Sequence, residues 1–160
     1  MLKPQFVFDN ITDVSLEFLQ KNSIKGLLVD VDNTLTTAHA SGMLKKGVDA
    51  WLEEMNSSGI KILILSNAKE TRIKPFAQKI GLDFQALSLK PLPFRYIKAV
   101  KKLKLKRKET AIIGDQLFTD ILGGNLAGVK TILVTEITPE DKLSFKIRRS
   151  LEKKILRGEK

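Results

Sequence analysis

Two aspartates stand one residue apart where an apolar run ends, in the segment GLLVDVDNTL at residues 26–35. In an extended chain, residues i and i+2 project to the same side, about 6–7 Å apart at a rise of ~3.3 Å per residue. Asp30 and Asp32 are therefore expected to face one common space. A carboxylate pair in such a position can bind a divalent cation or supply a nucleophile.

Polar residues also follow other apolar runs of the chain. Ser66 and Asn67 follow IKILIL, Lys90 follows FQALSL, and Asp115 follows TAIIG with Asp120 shortly after it. A third carboxylate near the first two would create repulsion, and Mg²⁺, which binds one or two carboxylates together with a substrate phosphate, fits that need best. Lys90 would hold a second negative oxygen, and Ser66 would orient a phosphoryl group.

Short, β-branched apolar runs predict five strands, and the stretches between them predict four helices. The strands are predicted at 24–31, 60–66, 84–87, 110–115 and 130–135. The helices are predicted at 47–57, 70–80, 92–103 and 119–127. Pro75 weighs against the second helix unless that helix begins late enough to place the proline in its first turn.

Strict alternation of strands and helices indicates an α/β fold, a Rossmann-like doubly wound parallel sheet with right-handed crossovers. Such sheets bind ligands at the carboxyl ends of their strands, which is where the polar residues lie. The chain shows no repeat or linker, so residues 1–160 are predicted to form a single domain.

Each motif also has a simpler structural explanation. Aspartates after a strand can form a turn or cap a helix, and so can the Ser66–Asn67 pair and the segment GDQLFTD. Lys90 can be a surface lysine, with Pro91 near the first turn of a helix. What these explanations leave unexplained is the ordered recurrence of such residues after successive strands.

Composition excludes several classes of protein. A chain of 160 residues with 42% apolar content can bury one core, and the absence of cysteine rules out disulfides and thiolate metal sites. The apolar runs are far shorter than the ~20 residues of a membrane span, and MLKPQFVFDN lacks the apolar core of a signal peptide. A soluble, cytoplasmic protein is therefore expected.

The net charge of +10 is concentrated in two segments. Residues 95–108 hold eight Lys or Arg and no acid, and residues 142–160 hold eight against two Glu. A basic C-terminal helix is predicted at about 140–157, either packed on the domain or bound peripherally to an anionic membrane. Nucleic acid is a further candidate partner, although an aromatic content of 6% offers few stacking platforms. His39 is expected to be an exposed loop residue.

The motifs together resemble the four signature motifs of the haloacid dehalogenase-like (HAD) phosphatases. They are DVDNT with Asp30, Asp32 and Thr34, Ser66 in LILSNA, Lys90 in LKP, and Asp115 with Asp120 in GDQLFTD. The segments LKPQFVFDNITDV and DILGGNLAGVKTILV are similar to the YqeG family of class III HAD phosphatases, which includes relatives of phosphatidylglycerophosphate phosphatase.

The resemblance implies a Mg²⁺-dependent phosphatase with an aspartyl-phosphate intermediate. Asp30 would be the nucleophile and Asp32 the general acid and base, while Asp115 would bind Mg²⁺ with Asp30 and the backbone carbonyl of Asp32. The phosphoryl group would be held by Ser66 and Lys90 together with Thr34 and Asn67. Asp120 would support the metal's water shell or Lys90.

The spacing of the motifs leaves no room for the cap domain that many HAD enzymes carry. An open site suits a phosphate on a large or membrane-held molecule such as phosphatidylglycerophosphate, or a site that a neighbouring subunit closes. The alternatives are a phosphatase of soluble or nucleic-acid-end phosphates, and a non-catalytic module that binds phosphate.

Overall fold

A computed structural model describes residues 1–37, 42–135 and 153, and it contains one parallel sheet of six strands. The strands are β1 Phe6–Phe8, β2 Gly26–Val29, β3 Lys61–Leu65, β4 Asp83–Gln85, β5 Thr110–Gly114 and β6 Lys130–Val134. Their order across the sheet is β1-β6-β5-β2-β3-β4, and every neighbouring pair is parallel. The Rossmann-like fold and the five predicted strands are confirmed.

Five α-helices connect the strands. They are α1 Leu16–Lys21, α2 Val48–Ser57, α3 Glu70–Ile80, α4 Pro93–Lys102 and α5 Leu122–Ala127. The four predicted helices correspond to α2–α5, but the last helical segment begins earlier than predicted, with a π-helical turn at Leu117–Ile121. None of the helices described is long and apolar enough to cross a membrane.

Helices cover both faces of the sheet, so the central strands are buried on both sides. All four residues of β2 are buried, with Leu27 and Val29 in the core cluster that includes Trp51 of α2. Leu28 lies in the opposite cluster with Tyr96 of α4. Burial on both faces explains why these strands are continuously apolar rather than alternating.

The N-terminal strand and helix are additions to the sequence-based prediction. Phe6 of β1 pairs with Ile132 of β6, and the rings of Phe6 and Phe8 meet Phe18 of α1 edge to face at centroid distances of 4.9 and 5.0 Å. A strand of three residues at the edge of the sheet is too short to show a clear apolar pattern.

The proline in α3 is tolerated in the helix interior, contrary to the expectation that it would need to lie in the first turn. The helix begins at Glu70, so Pro75 lies beyond the first turn. The neighbouring residues Ile73 and Ala77 are buried in the core. Their packing offsets the one backbone hydrogen bond that proline cannot donate.

The strands end at one edge of the sheet in loops of different lengths. Residues 66–69 join β3 to α3, residues 86–92 join β4 to α4, and residues 115–116 join β5 to the π-helical turn. The loop from β2 to α2 spans residues 30–47, of which 38–41, including His39, lie outside the described residues, as does the C-terminal helix predicted at 140–157. The described parts of these loops contain no inserted cap domain, and the single-domain assignment of residues 1–160 stays a prediction.

Candidate active site

Asp30 lies directly after β2, where its backbone continues the sheet. Its amide donates a hydrogen bond to the carbonyl of Ile113 in β5 at 3.0 Å, and the residue is only 7% exposed. The apolar strand therefore fixes the carboxylate at the sheet edge, as the sequence predicts. Asp32 is less buried, with a side chain that is 16% exposed.

Lys90 joins two carboxylates that follow neighbouring strands, Asp30 after β2 and Asp120 after β5. Its ammonium donates to Asp30 Oδ1 and to Asp120 Oδ1, each at 2.7 Å, and its side chain is 3% exposed. Burial alone would lower the pKa of Lys90, but the attraction of Asp120 and Asp30 outweighs it and raises the pKa above the usual lysine value. The two carboxylates therefore favour the charged form of Lys90 in this site.

The backbone around Lys90 is held by the residues that follow β3. The Asn67 carboxamide oxygen accepts from the Lys90 amide at 2.8 Å, and its nitrogen donates to the Lys90 carbonyl at 3.4 Å. The Ser88 amide donates to the Ser66 carbonyl at 2.9 Å. Asn67 thus positions Lys90, while its predicted contact with phosphate stays a prediction.

Asp120 reaches Lys90 because the chain around it is tightly packed. A Cβ on Gly114 would lie 2.2 Å from the Asp120 carboxyl group, so only glycine fits at the end of β5. The Tyr96 hydroxyl donates to the Thr119 carbonyl at 2.8 Å and so holds the π-helical turn. Burial and the nearby charge of Asp120 raise the pKa of Tyr96, which keeps this donor protonated.

Three buried carboxylates converge at the sheet edge. Asp30, Asp115 and Asp120 each place an oxygen within 4.8 Å of the others, and Asp115 and Asp120 are each 1% exposed. Burial raises the pKa of Asp30 to about 6, with Lys90 opposing the shift and Asp120 adding to it. Such a cluster of hard oxygen donors fits a divalent cation.

Arg72 is a residue of the site that the sequence analysis missed. It lies in the first turn of α3, and its guanidinium contacts both carboxylate oxygens of Asp32, with Nη1 at 3.1 Å from Oδ2 and Nη2 on Oδ1. A bidentate pair of this kind fixes the orientation of the carboxylate. The sequence offers one signal for Arg72: an arginine stands near the start of the helix that follows Ser66 and Asn67.

Two hydroxyl groups predicted to bind phosphate are buried near these charges. The Ser66 hydroxyl oxygen accepts from the Ala68 amide at 3.1 Å, which leaves its proton for another acceptor. The Thr34 hydroxyl is fully buried and has no hydrogen-bond partner among the residues described. A buried polar group without a partner is costly, so a ligand that bonds to it is favoured.

The assembled groups carry a net charge of −2 when all are ionised. The four aspartates contribute −4, whereas Lys90 and Arg72 contribute +2. A divalent cation would neutralise this difference and allow an anionic phosphoryl group to approach. The arrangement therefore suits phosphoryl transfer.

Comparisons with known proteins also point to a phosphate-hydrolysing enzyme. The family description "Hydrolase: haloacid dehalogenase-like hydrolase" matches residues 38–128. The "Probable phosphatase YqeG" of Bacillus subtilis (strain 168) is 37% identical over 160 residues, which cover 98% of this chain and 92% of that protein.

Solved structures support the fold. The cobalt-bound deoxy-D-mannose-octulosonate 8-phosphate phosphatase (YrbI) of Haemophilus influenzae superposes with a TM-score of 0.55 at 17% identity, covering 85% of this chain and 89% of that one. NagD of Escherichia coli K-12 gives a TM-score of 0.58 at 16% identity, covering 69% and 87%. The match to the family description and the similarity to YqeG show that the chain belongs to the haloacid dehalogenase-like hydrolases and is a phosphatase of that family.

Proposed function

We propose that this phosphatase hydrolyses phosphomonoesters with Mg²⁺ and forms its covalent intermediate on Asp30. The observation that carries the proposal is the position of Asp30, which is bonded to the buried Lys90 and converges with Asp115 and Asp120. The carboxylate is at the strand edge expected for a ligand site, and its charge is compensated on one side by an ammonium.

The donor set fits Mg²⁺ on chemical grounds. Asp30, Asp115 and the carbonyl of Asp32 are the ligands that we propose, all of them hard oxygens. When bound, the cation would neutralise the carboxylates and withdraw charge from the phosphoryl oxygens. Asp120, which shares the carboxylate cluster, already bonds to Lys90 and is assigned to holding that lysine.

In the first step, an oxygen of Asp30 attacks phosphorus, and the bond between phosphorus and the leaving oxygen breaks. Asp32 donates a proton to that oxygen, which departs as an alcohol. The phosphoryl oxygens accept hydrogen bonds from Lys90 and from the hydroxyls of Ser66 and Thr34. Asn67 supports this contact by holding the backbone of Lys90.

In the second step, Asp32 takes a proton from a water molecule, which attacks the phosphorus of the aspartyl-phosphate. The bond between phosphorus and Asp30 breaks, inorganic phosphate leaves, and the carboxylate is restored. Asp32 therefore serves as acid and then as base, and Arg72, which here pairs with both of its oxygens, would have to release one of them for Asp32 to carry the proton.

The open site favours a phosphate carried by a large or surface-held molecule, and we propose phosphatidylglycerophosphate as the substrate to test first. That choice implies a cytoplasmic protein that binds peripherally to an anionic membrane. The predicted basic helix at 140–157 is one candidate contact, although it lies outside the described residues. The alternatives are a soluble or nucleic-acid-end phosphate, a site closed by a second subunit, and a non-catalytic phosphate-binding module.

Two variants test the assigned roles with an aryl phosphate. Asp30→Asn should abolish turnover, and removal of Mg²⁺ by chelation should do the same. Asp32→Asn should accumulate phosphorylated protein, detectable by mass spectrometry after acid quenching, because an aryl leaving group needs little protonation while water still needs a base. Adduct formation in an Asp30→Asn/Asp32→Asn double variant would remove Asp30 from the nucleophile role.

A further inference from the structure

Among the described residues, most of the exposed large apolar side chains follow the carboxyl ends of strands, the edge of the sheet that holds the candidate active site. Within residues 1–37 and 42–135, nine large apolar side chains are exposed, and six of them lie where strands lead into helices at the site edge. The six are Met43, Leu87, Leu89, Leu92, Phe94 and Phe118, with exposures from 40% to 67%. Scattered exposed apolar residues are ordinary, but their concentration at one edge indicates an interaction surface.

The loop that carries Lys90 holds its leucines outward. Leu87 and Leu89 have φ values of +47° and +48°, a left-handed conformation that leucine rarely adopts. Between them, Ser88 is fully buried, and its hydroxyl donates to the Gln85 carbonyl at 2.6 Å. The loop is therefore anchored through Ser88 while both leucines remain half-exposed, and strain of this kind is typical of functional segments.

The chain that continues from this loop is basic. Residues 86–100 contain no acid, and the Arg95 guanidinium lies 5.6 Å from the centre of the Phe94 ring. Lys98 is exposed one turn further along α4. The later basic residues, 101–108, lie toward the opposite edge of the sheet, where Lys61 at the start of β3 donates to the Leu103 carbonyl at 3.0 Å. Apolar residues that lie beside positive charges such as Arg95 and Lys98 are complementary to an anionic lipid surface.

A membrane suits this location better than a protein partner. The apolar residues flank Lys90, so a protein bound across them would cover the entrance that a phosphate must use to reach Asp30. A bilayer covers the same residues and at the same time presents phosphorylated headgroups to the entrance.

We propose that the surface formed by Leu87, Leu89, Leu92, Phe94 and Phe118, here called the apolar rim, inserts into an anionic membrane and directs the active site toward a lipid headgroup. The proposal rests on the proposed function for its substrate class, but the membrane contact itself requires no chemistry. It also differs from docking through the C-terminal segment at 142–160, because the apolar rim lies at the entrance to the catalytic site.

The test measures binding to vesicles of phosphatidylcholine with and without phosphatidylglycerol, by sedimentation. The test variant is Leu92→Ser/Phe94→Ser, in which the new serine at residue 92 occupies the N-cap of α4, a position that serine favours. The matched control is Leu126→Ser on α5, because Leu126 is 45% exposed and Leu92 is 44% exposed. Circular dichroism melts of all three proteins check that each one folds.

The parent and the Leu126→Ser variant should bind anionic vesicles, and the test variant should bind about tenfold more weakly or worse, since it loses two inserting side chains. Added salt should weaken the binding of the parent. Equal binding by test and control variants would overturn the proposal and assign the contact to the C-terminal segment.

Two further outcomes would overturn the proposal. One is a parent protein that does not bind anionic vesicles. The other is a parent that is dimeric in analytical ultracentrifugation and becomes monomeric on Leu92→Ser/Phe94→Ser, which would make a second copy of the chain the occupant. Hydrolysis of an aryl phosphate by the parent is measured in parallel, so failure of vesicle binding is separable from failure of the proposed chemistry.

Discussion

Replacing Lys90 with Met should destabilise the metal-free protein strongly. The lysine side chain is 3% exposed and bonds to Asp30 and Asp120, each at 2.7 Å. Removing one partner from a buried ion pair costs about 3–5 kcal/mol, because the remaining charge is left without compensation. In a domain of this size each kcal/mol lowers Tm by ~2–4 °C, so the expected fall is about 6–20 °C.

The measurement is differential scanning calorimetry in EDTA, with Lys98→Met as the matched control because Lys98 is an exposed lysine on α4. The control should change Tm by no more than ~2 °C, as expected for a surface substitution. Added Mg²⁺ should raise the Tm of Lys90→Met more than that of the parent, because a cation compensates the same carboxylates. A Tm for Lys90→Met within ~2 °C of the control in EDTA would refute the reasoning.

Three further predictions concern the charges and their packing. In EDTA, thermal melts should show the parent losing stability relative to Asp30→Asn as pH rises from about 4 to about 7. The reason is that the pKa of Asp30 is raised from 3.8 to about 6, so the folded state keeps a proton that the unfolded state has already released. Gly114→Ala should lower kcat more than tenfold, since its Cβ would lie 2.2 Å from the Asp120 carboxyl group. Arg72→Gln should slow alkyl phosphates more than aryl phosphates in steady-state assays and change the pH profile, with partial rescue by Arg72→Lys, because alkyl leaving groups would depend on protonation by Asp32, the general acid that we propose.

The fold could be predicted from the sequence where a strand forms a continuous apolar run with clear ends. β2 and β5 are buried throughout, so their continuous apolar runs identify them and also place Asp30 and Asp115 at the same edge. The short strand β1 was missed because it is held by contacts with Phe18 of α1 and with β6. No local sequence pattern indicates these contacts.

The sequence could predict that Asp30, Lys90, Asp115 and Asp120 lie at one edge of the sheet, but it could not predict the network of contacts around them. Neither the bidentate pairing of Arg72 with Asp32 nor the hold of Asn67 on the Lys90 backbone follows from spacing, because both bring together residues from different loops. Such contacts depend on where helices begin relative to the strands, which local sequence patterns fix only approximately.

The burial of Asp30 works against the role of nucleophile that we propose for it. Desolvation favours its neutral form, whereas attack on phosphorus requires the carboxylate. Lys90 offsets part of that cost, but it is shared with Asp120, so one ammonium serves two carboxylates while Asp115 adds a third nearby. A divalent cation would supply the remaining compensation, and any ion that binds the folded state alone also stabilises it. On this reasoning, Mg²⁺ that activates the protein should raise its Tm as well, and activation without any thermal stabilisation would argue against metal binding at the buried carboxylates.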